Sequence, residues 1–239
     1  MCGRYAASAD VDSLTETFEL EKILQVPEPS WNVAPTDPVP AVMRRADKET
    51  GDLARILVTP RWGLVPSWSK GPKSGAPLIN ARAETVAEKP SFRKAFATRR
   101  CLLPADGYYE WYVTGQRTAK GKPVKQPFFI RPDSGPFVMA GIYEFWKDPA
   151  ADGPDAWLTS VAVITTTATD RLGHIHDRMP MTVPPQAWAD WLDPGLTDPA
   201  AALGLMEVDG DALEAYAVSP LVSDVRNDGP ELVAPLADS

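Results

Sequence analysis

Apolar positions near the start of the chain change their spacing twice, and each change predicts an element. Val11, Leu14, Phe18 and Leu20 or Ile23 recur at helical intervals, with Asp12 or Ser13 placed to cap the first turn, so the pattern predicts a short helix within 11–24. Pro35, Pro38 and Pro40 then interrupt any repeat. Proline fixes φ and has no N–H for a ladder, so an extended loop is expected there, entering a strand at Ala41–Arg45. Acidic and glycine residues over 47–52 turn the chain, and Leu53–Trp62 alternates as the returning strand of a hairpin. Ser91–Ala97, following Pro90, predicts a short basic helix capped at Ser91. Cys101–Leu103, Tyr108–Val113, Phe128–Arg131, Phe137–Ile142 and Trp157–Thr167 are apolar or aromatic runs bounded by Gly and Pro, and read as successive strands. Pro184–Asp193 and Pro199–Met206 read as helices, and Leu213–Val218 as a late strand. The acidic loop 147–155 separates two strands expected to share one sheet, so the pattern favours a single α+β domain spanning 1–239.

Composition narrows this picture. Hydrophobic residues make up 44% of the 239 positions and charged residues 23%, while 25 prolines argue against an all-helical fold. No apolar run reaches membrane-spanning length and the first residues lack the hydrophobic core of a signal peptide, so a cytoplasmic protein with no membrane partner is expected. Two cysteines, Cys2 and Cys101, make no disulfide framework and are expected as free thiols. The net charge of −8 hides an asymmetry: residues 1–125 carry 19 Lys/Arg against 14 Asp/Glu, whereas 126–239 carry 5 against 18. Within 55–125 the balance is 14 basic to 4 acidic, including Arg93, Lys94, Arg99 and Arg100, enough for a local phosphate-binding surface.

The candidate chemistry begins at the second residue. Removal of Met1 would leave Cys2 with an α-amine and a thiol on adjacent carbons, a 1,2-aminothiol. The amine can attack an aldehyde to give an imine, and the thiol can close on the imine carbon to form a five-membered thiazolidine. Unperturbed, the two groups titrate at about 7.7–8.0 and about 8.5, so both are partly nucleophilic near neutrality. The only histidines, His174 and His176, share one loop, and either could transfer a proton near neutral pH. With Cys2 and Cys101 they could supply two nitrogens and two sulfurs to zinc, but structural zinc sites bring thiolates as close pairs, so neither metal nor cofactor is expected. Glu110 lies among aromatics in Gly107–Tyr112, a setting that raises a carboxyl pKa and suits a general acid; a solvated or arginine-paired carboxylate is the plainer alternative. Asn80 follows the apolar pair Leu78–Ile79 and is either a buried hydrogen-bonding group or a turn cap.

Taken in order, MCGRY at the start, WNVAPT at Trp31–Thr36, WGLVPSW at Trp62–Trp68, INARAET at Ile79–Thr85, RRCLLPADGYYEW at Arg99–Trp111, HIHDRMP at His174–Pro180 and VRNDGPEL at Val225–Leu232 resemble the SRAP family, the SOS response-associated peptidases that process abasic sites. The resemblance implies an α+β domain with a twisted, barrel-like, mostly antiparallel sheet core, peripheral short helices and a basic cleft. Its implied partner is single-stranded DNA carrying abasic sites, alone or at a junction with duplex, bound by a monomer. It implies that Cys2 captures the ring-opened aldehyde of an abasic deoxyribose as a thiazolidine, shielding the site from strand cleavage. By the same resemblance Asn80 positions the terminus, Glu110 is the acid/base for imine formation, and His176 assists ring opening and crosslink reversal. Arg4 and Arg82 match residues near DNA phosphates, and Pro35, Trp68 and Trp111 match positions around bases; His174 lies outside the matching part of its motif. Ser67–Trp68 stands where some relatives have adjacent tryptophans, so the stacking wedge is expected to differ. Two other readings are open: a peptidase or amidohydrolase using Cys2 as an N-terminal nucleophile, and a noncatalytic single-strand DNA sensor.

Overall fold

The computed structural model describes residues 2–46, 50–168, 170–208 and 212–236. The first helix forms where apolar spacing requires it, but ends early. α1 covers Val11–Phe18 and is capped by Asp10, whose carboxylate accepts from the Ser13 amide at 2.8 Å and the Ser13 hydroxyl at 3.0 Å. Glu19 turns left-handed at φ 50°, so the expected continuation to Leu24 is replaced by β2 at Lys22–Ile23. Its apolar face drives Leu14 and Phe18 into the core, with Phe18 4.6 Å from the Trp188 ring.

Around it run β1 (Tyr5–Ala7), β3 (Ser30–Val33), β4 (Ala41–Ala46), β5 (Leu53–Val58), β6 (Arg61–Trp62), β7 (Asn80–Arg82), β8 (Arg100–Ala105), β9 (Gly107–Arg117), β10 (Pro123–Pro132), β11 (Phe137–Lys147), β12 (Trp157–Thr167), β13 (Arg178–Pro180) and β14 (Leu213–Ala217). The helices are α2 (Arg93–Thr98), α3 (Asp170–Gly173), α4 (Trp188–Trp191) and α5 (Pro199–Gly204). One sheet has the order β14-β10-β9-β1-β3; the other has the order β13-β12-β11-β8-β4-β5-β2, with β6 and β7 laid parallel against β12. The α+β class and the mostly antiparallel pairing hold. The two sheets are twisted, as expected, and each ends in edge strands without closing. Strand β4 and β5 form the expected hairpin, though residues 47–49 of its turn lie outside the described residues.

Local chemistry explains the remaining departures. The expected strand Leu53–Trp62 splits at Pro60, and Trp62 leaves to lie beside Val161 of β12. α2 begins two residues after the expected cap, with no side-chain cap bond. The expected helix over 184–193 is a 3₁₀ turn at Pro185–Ala187 followed by the single turn of α4. Strands β9 and β10 run well past their apolar halves because their polar ends pair with each other. β11 and β12 are antiparallel neighbours across the acidic loop, as expected.

β12 shows what the two sheets bury. Val161 and Val163 face a core shared with Cys2, Tyr5, Trp62, Cys101 and Tyr108, while Ala162 and Ile164 face a second core with Phe96, Trp188 and Trp191. Covered on both faces, the strand reads as a continuous apolar run. Each large side chain so buried contributes about 1.5–3 kcal/mol. A third, smaller core places Tyr109, Phe129 and Ala6 against Val218, Val222 and Leu232 of the last segment. No helix among the described residues is long and apolar enough to cross a membrane.

Candidate functional site

Strand pairing brings the chain's beginning to the middle of a sheet. β1 is paired on both sides, Tyr5 opposite Val33 of β3 and opposite Tyr108 of β9, and the Tyr109 amide donates to the Arg4 carbonyl at 2.9 Å. Cys2 is thereby 0% exposed, within the inter-sheet core. β7 runs parallel to β12 with Asn80 opposite Val163, and the Asn80 Nδ2 donates to the Cys2 carbonyl at 2.7 Å. Asn80 Oδ1 is buried and has no partner among the described residues.

Glu110 comes from β9 on the face opposite its neighbour Trp111. It is 4% exposed, and burial raises its carboxyl to about 7, with the Asp177 carboxylate adding to the rise and Lys125 opposing it. Burial also pushes the Cys2 thiol far up, and the Glu110 carboxylate pushes it further. The direction is opposite to activation of the thiol by its surroundings, the α-amine at the chain start being the charge that opposes it. Cys101 is likewise buried and pushed up, and both cysteines are free.

His176 sits with Nε2 4.0 Å from Glu110 Oε2, and burial holds its pKa below the ordinary histidine value. Two groups compete for its other nitrogen: the Arg178 amide donates to Nδ1 at 3.1 Å, and an Asp177 carboxylate oxygen lies 2.9 Å from it. One ring nitrogen cannot accept and donate at once. Accepting from Arg178 leaves Nε2–H directed at Glu110; donating to Asp177 leaves Nε2 a bare base, or an imidazolium when both nitrogens are protonated. The ring is therefore supported in forms that give or take a proton on the Glu110 side. Arg178 is itself anchored, bidentate to Glu84 at 2.6 and 3.0 Å and donating to the Thr165 carbonyl at 2.7 Å. That bond holds the Glu84 carboxyl down at about 2. Glu84 and Arg178 lie within quoted motifs, yet their pairing is invisible without the β7-β12-β13 register.

The other expected residues lie apart from this cluster. Arg4 and Trp111 are on the far face of the five-stranded sheet: Arg4 Cζ lies 5.8 Å from the Trp111 ring centroid, and its NH1 donates to Asn32 Oδ1 at 2.7 Å and the Val222 carbonyl at 2.9 Å. Trp111 Nε1 donates to Ser223 Oγ at 3.0 Å, so both side chains are already engaged by the protein. Pro35 is half-buried beside Thr36, whose φ of 85° is unusual for a β-branched residue and whose amide donates to the Trp62 carbonyl. Trp68 is 68% exposed in the loop after β6 and lines a cavity of about 230 Å³ with Arg61, Pro66 and Ser91. Arg82 is exposed on β7, two residues beyond Asn80, and His174 makes an edge contact with the Tyr112 ring at 6.5 Å. Among the described residues no three His, Cys, Asp or Glu side chains gather to hold a metal.

The whole arrangement has relatives. The family described as SOS response associated peptidase (SRAP) matches residues 1–225. The abasic site processing protein YoqW of Bacillus subtilis (strain 168) is 38% identical over 237 residues, covering 98% of this chain and 99% of its own length. The abasic site processing protein HMCES of Rattus norvegicus is 31% identical over 278 residues, covering 98% of this chain and 76% of its own. A crystal structure of a protein from Bacteroides thetaiotaomicron superposes with a TM-score of 0.79 at 24% identity, covering 99% of this chain and 100% of that one, a likeness of fold.

Proposed function

The chain belongs to the SRAP family of SOS response associated peptidases, and from that premise we propose that it processes abasic sites in DNA by crosslinking to them through Cys2. The reading takes 1–239 as one domain and requires removal of Met1, because only then does Cys2 carry a free α-amine. The observation that carries it is the convergence on one chain end: Asn80 on the Cys2 carbonyl at 2.7 Å, and a buried Glu110 with His176 4.0 Å away.

The steps follow from these groups. An abasic deoxyribose is mostly a closed hemiacetal; His176 takes the proton of its anomeric hydroxyl and delivers it to the departing ring oxygen, opening it to the aldehyde. The Cys2 amine adds to the carbonyl carbon to form a carbinolamine. Its hydroxyl leaves as water on receiving a proton, and Glu110, raised to about 7 by burial, has that proton to give near neutrality. The thiol then adds across the C=N bond, sulfur to carbon and proton to nitrogen, closing the thiazolidine with net loss of one water. A thiol that burial pushes up suits this last step, which uses S–H. It does not suit attack on an amide as a thiolate, which weighs against the peptidase reading. Trapping the imine also diverts it from β-elimination, which would break the strand. Arg82 and Trp68, both exposed, are proposed to meet phosphates and bases; Arg4, Trp111 and Pro35 are proposed to border the same strand, with Arg4 and Trp111 held in place by Asn32 and Ser223.

The test is incubation with a single-stranded oligonucleotide containing one abasic site. A denaturation-resistant species is expected, with the mass of Met1-less protein plus DNA minus water, and none with undamaged DNA. A crosslink mapped to an internal lysine, or its survival in Cys2→Ser, would overturn the assignment.

A further inference from the structure

β9 and β10 leave the body of the protein as a two-stranded ribbon whose outer part contacts no core. From Tyr112 to Arg117 and from Lys122 to Lys125 the positions are exposed or half-buried. The register sets Val113 opposite Lys125 and Arg117 opposite Pro123. The tip is ordered by its own bonds: the Thr118 amide donates to the Lys122 carbonyl at 2.8 Å, the Gly121 amide to the Thr118 carbonyl at 2.8 Å, and Arg117 NH1 to the Gly121 carbonyl at 2.8 Å. Gly121 supplies the positive φ of 74° that this closure needs.

In a chain of net charge −8, this ribbon carries Arg117, Lys120, Lys122 and Lys125 and no acidic residue between Glu110 and Asp133. Its root is the candidate site. Glu110 lies two residues before Tyr112 on the same strand, Tyr112 touches the ring of His174, and Lys125 acts electrostatically on both Glu110 and His176. At about 3.4 Å per residue the arm reaches roughly 20 Å beyond Glu110, the length of about six phosphates along one strand of a duplex. Trp111 and Tyr112 lie at the root of the ribbon, and no aromatic occurs from Val113 to Gln126. A single-strand platform needs rings on which bases stack; an arm with cations and no aromatic ring suits a helix whose bases are already stacked on each other.

We propose that the β9–β10 ribbon is a second DNA-binding element, gripping the phosphate backbone of duplex that flanks the lesion while the body holds the unpaired abasic nucleotide. The proposal rests on the abasic-site reading and adds to it the residues that reach the flank.

The test compares the processed full-length protein with R117Q/K120Q/K122Q, and with K120R/K122R as the charge-keeping control. Fluorescence anisotropy is followed against salt concentration on a single strand of about five nucleotides with a central abasic site, too short to span the arm, and on the same lesion with duplex on its 5′ or its 3′ side. With duplex on one side of the lesion, the neutralised variant is expected to bind roughly tenfold more weakly at about 0.1 M salt, and its log K against log salt slope to shrink by about 2–3. On the short strand its affinity and crosslink yield at saturation match wild type, and the arginine control matches wild type throughout. Unchanged slopes on both duplex-flanked probes overturn the proposal, as does an equal loss on the short strand. If wild type crosslinks while the variant matches it, the arm alone fails; if wild type neither binds nor crosslinks any probe, the abasic-site reading fails and the arm with it.

Discussion

Glu110 is placed where its carboxyl is useful and where its charge is unwelcome. Burial raises it from the ordinary 4.5 to about 7, so the folded protein holds a proton there that the unfolded chain releases. Stability from this group is therefore complete below about 4.5 and lost as pH rises through 7. Glu110→Gln, which cannot ionise, should be more stable than wild type at pH 8, by an amount of order 1–3 kcal/mol in denaturant melts, and equally stable at pH 4. The same change should slow crosslinking by roughly 10²–10⁴-fold even on an already open aldehyde, because no carboxyl proton is available for loss of water. His176→Ala should behave differently in single-turnover kinetics: slow on the closed sugar, partly rescued on the open aldehyde, and slow to release DNA from a preformed thiazolidine. Equal defects for both variants on both substrates would dissolve the division of labour. The aromatic setting of Glu110 was legible in GYYEW, but a solvated or arginine-paired carboxylate fitted that sequence as well, and the burial that separates the two comes from the fold. The raised thiol of Cys2 was not legible, because residues 1–5 give no sign that β1 is enclosed between two other strands.

At the scale of elements, the strands of the central sheets were readable because β8, β11 and β12 are apolar on both faces, whereas the outer ribbon of β9 and β10 was cut short because its far half has no apolar pattern to read. The parallel placement of β7 beside β12 was also out of reach, and it is what joins Glu84 to Arg178. This pair works through position. Arg178 begins β13, and its amide is the donor that selects the Nδ1-accepting form of His176. Glu84→Gln, by loosening the guanidinium, should move the His176 ring toward the Asp177-bonded form, visible as a change in its side-chain ¹⁵N shifts, and shift the pH profile of crosslinking with roughly tenfold loss of rate. An unchanged ¹⁵N spectrum would mean that Glu84 merely braces the loop. Gly107 tests the sheet itself, since a Cβ there would lie 2.5 Å from the Ile130 carbonyl oxygen and 2.6 Å from the Phe129 ring. Gly107→Ala should lower stability by about 1–3 kcal/mol in thermal or denaturant unfolding, with β9 and β10 forced apart at their buried end, away from the arm.

For the molecule as a whole, overall charge is a poor guide to its partner. Binding to single-stranded DNA should weaken steeply with salt although the protein is acidic, and Arg82→Ala should weaken abasic and undamaged strands alike, in fluorescence titrations at several ionic strengths. A flat salt response would remove Arg82 from phosphate contact. The charge imbalance between the two halves was plain in the sequence; that its basic part includes an arm beside the site needed the fold. The enclosure of β1 reaches further, into the order of biosynthesis. Cys2 emerges from the ribosome first, yet the strands and loop that bury it, β3, β9, β7 and the His176 loop, are completed only some 170 residues later. At about 5–20 residues per second Cys2 is without these neighbours for roughly ten to thirty seconds before the fold encloses it. Methionine aminopeptidase supplied during synthesis should yield the lighter protein by intact mass; supplied after folding to unprocessed chains, it should leave the mass unchanged. On the Cys2 reading each molecule has one early interval in which to acquire a free α-amine there, and a cell that makes the protein faster than it trims it is expected to accumulate copies that fold normally and do not crosslink.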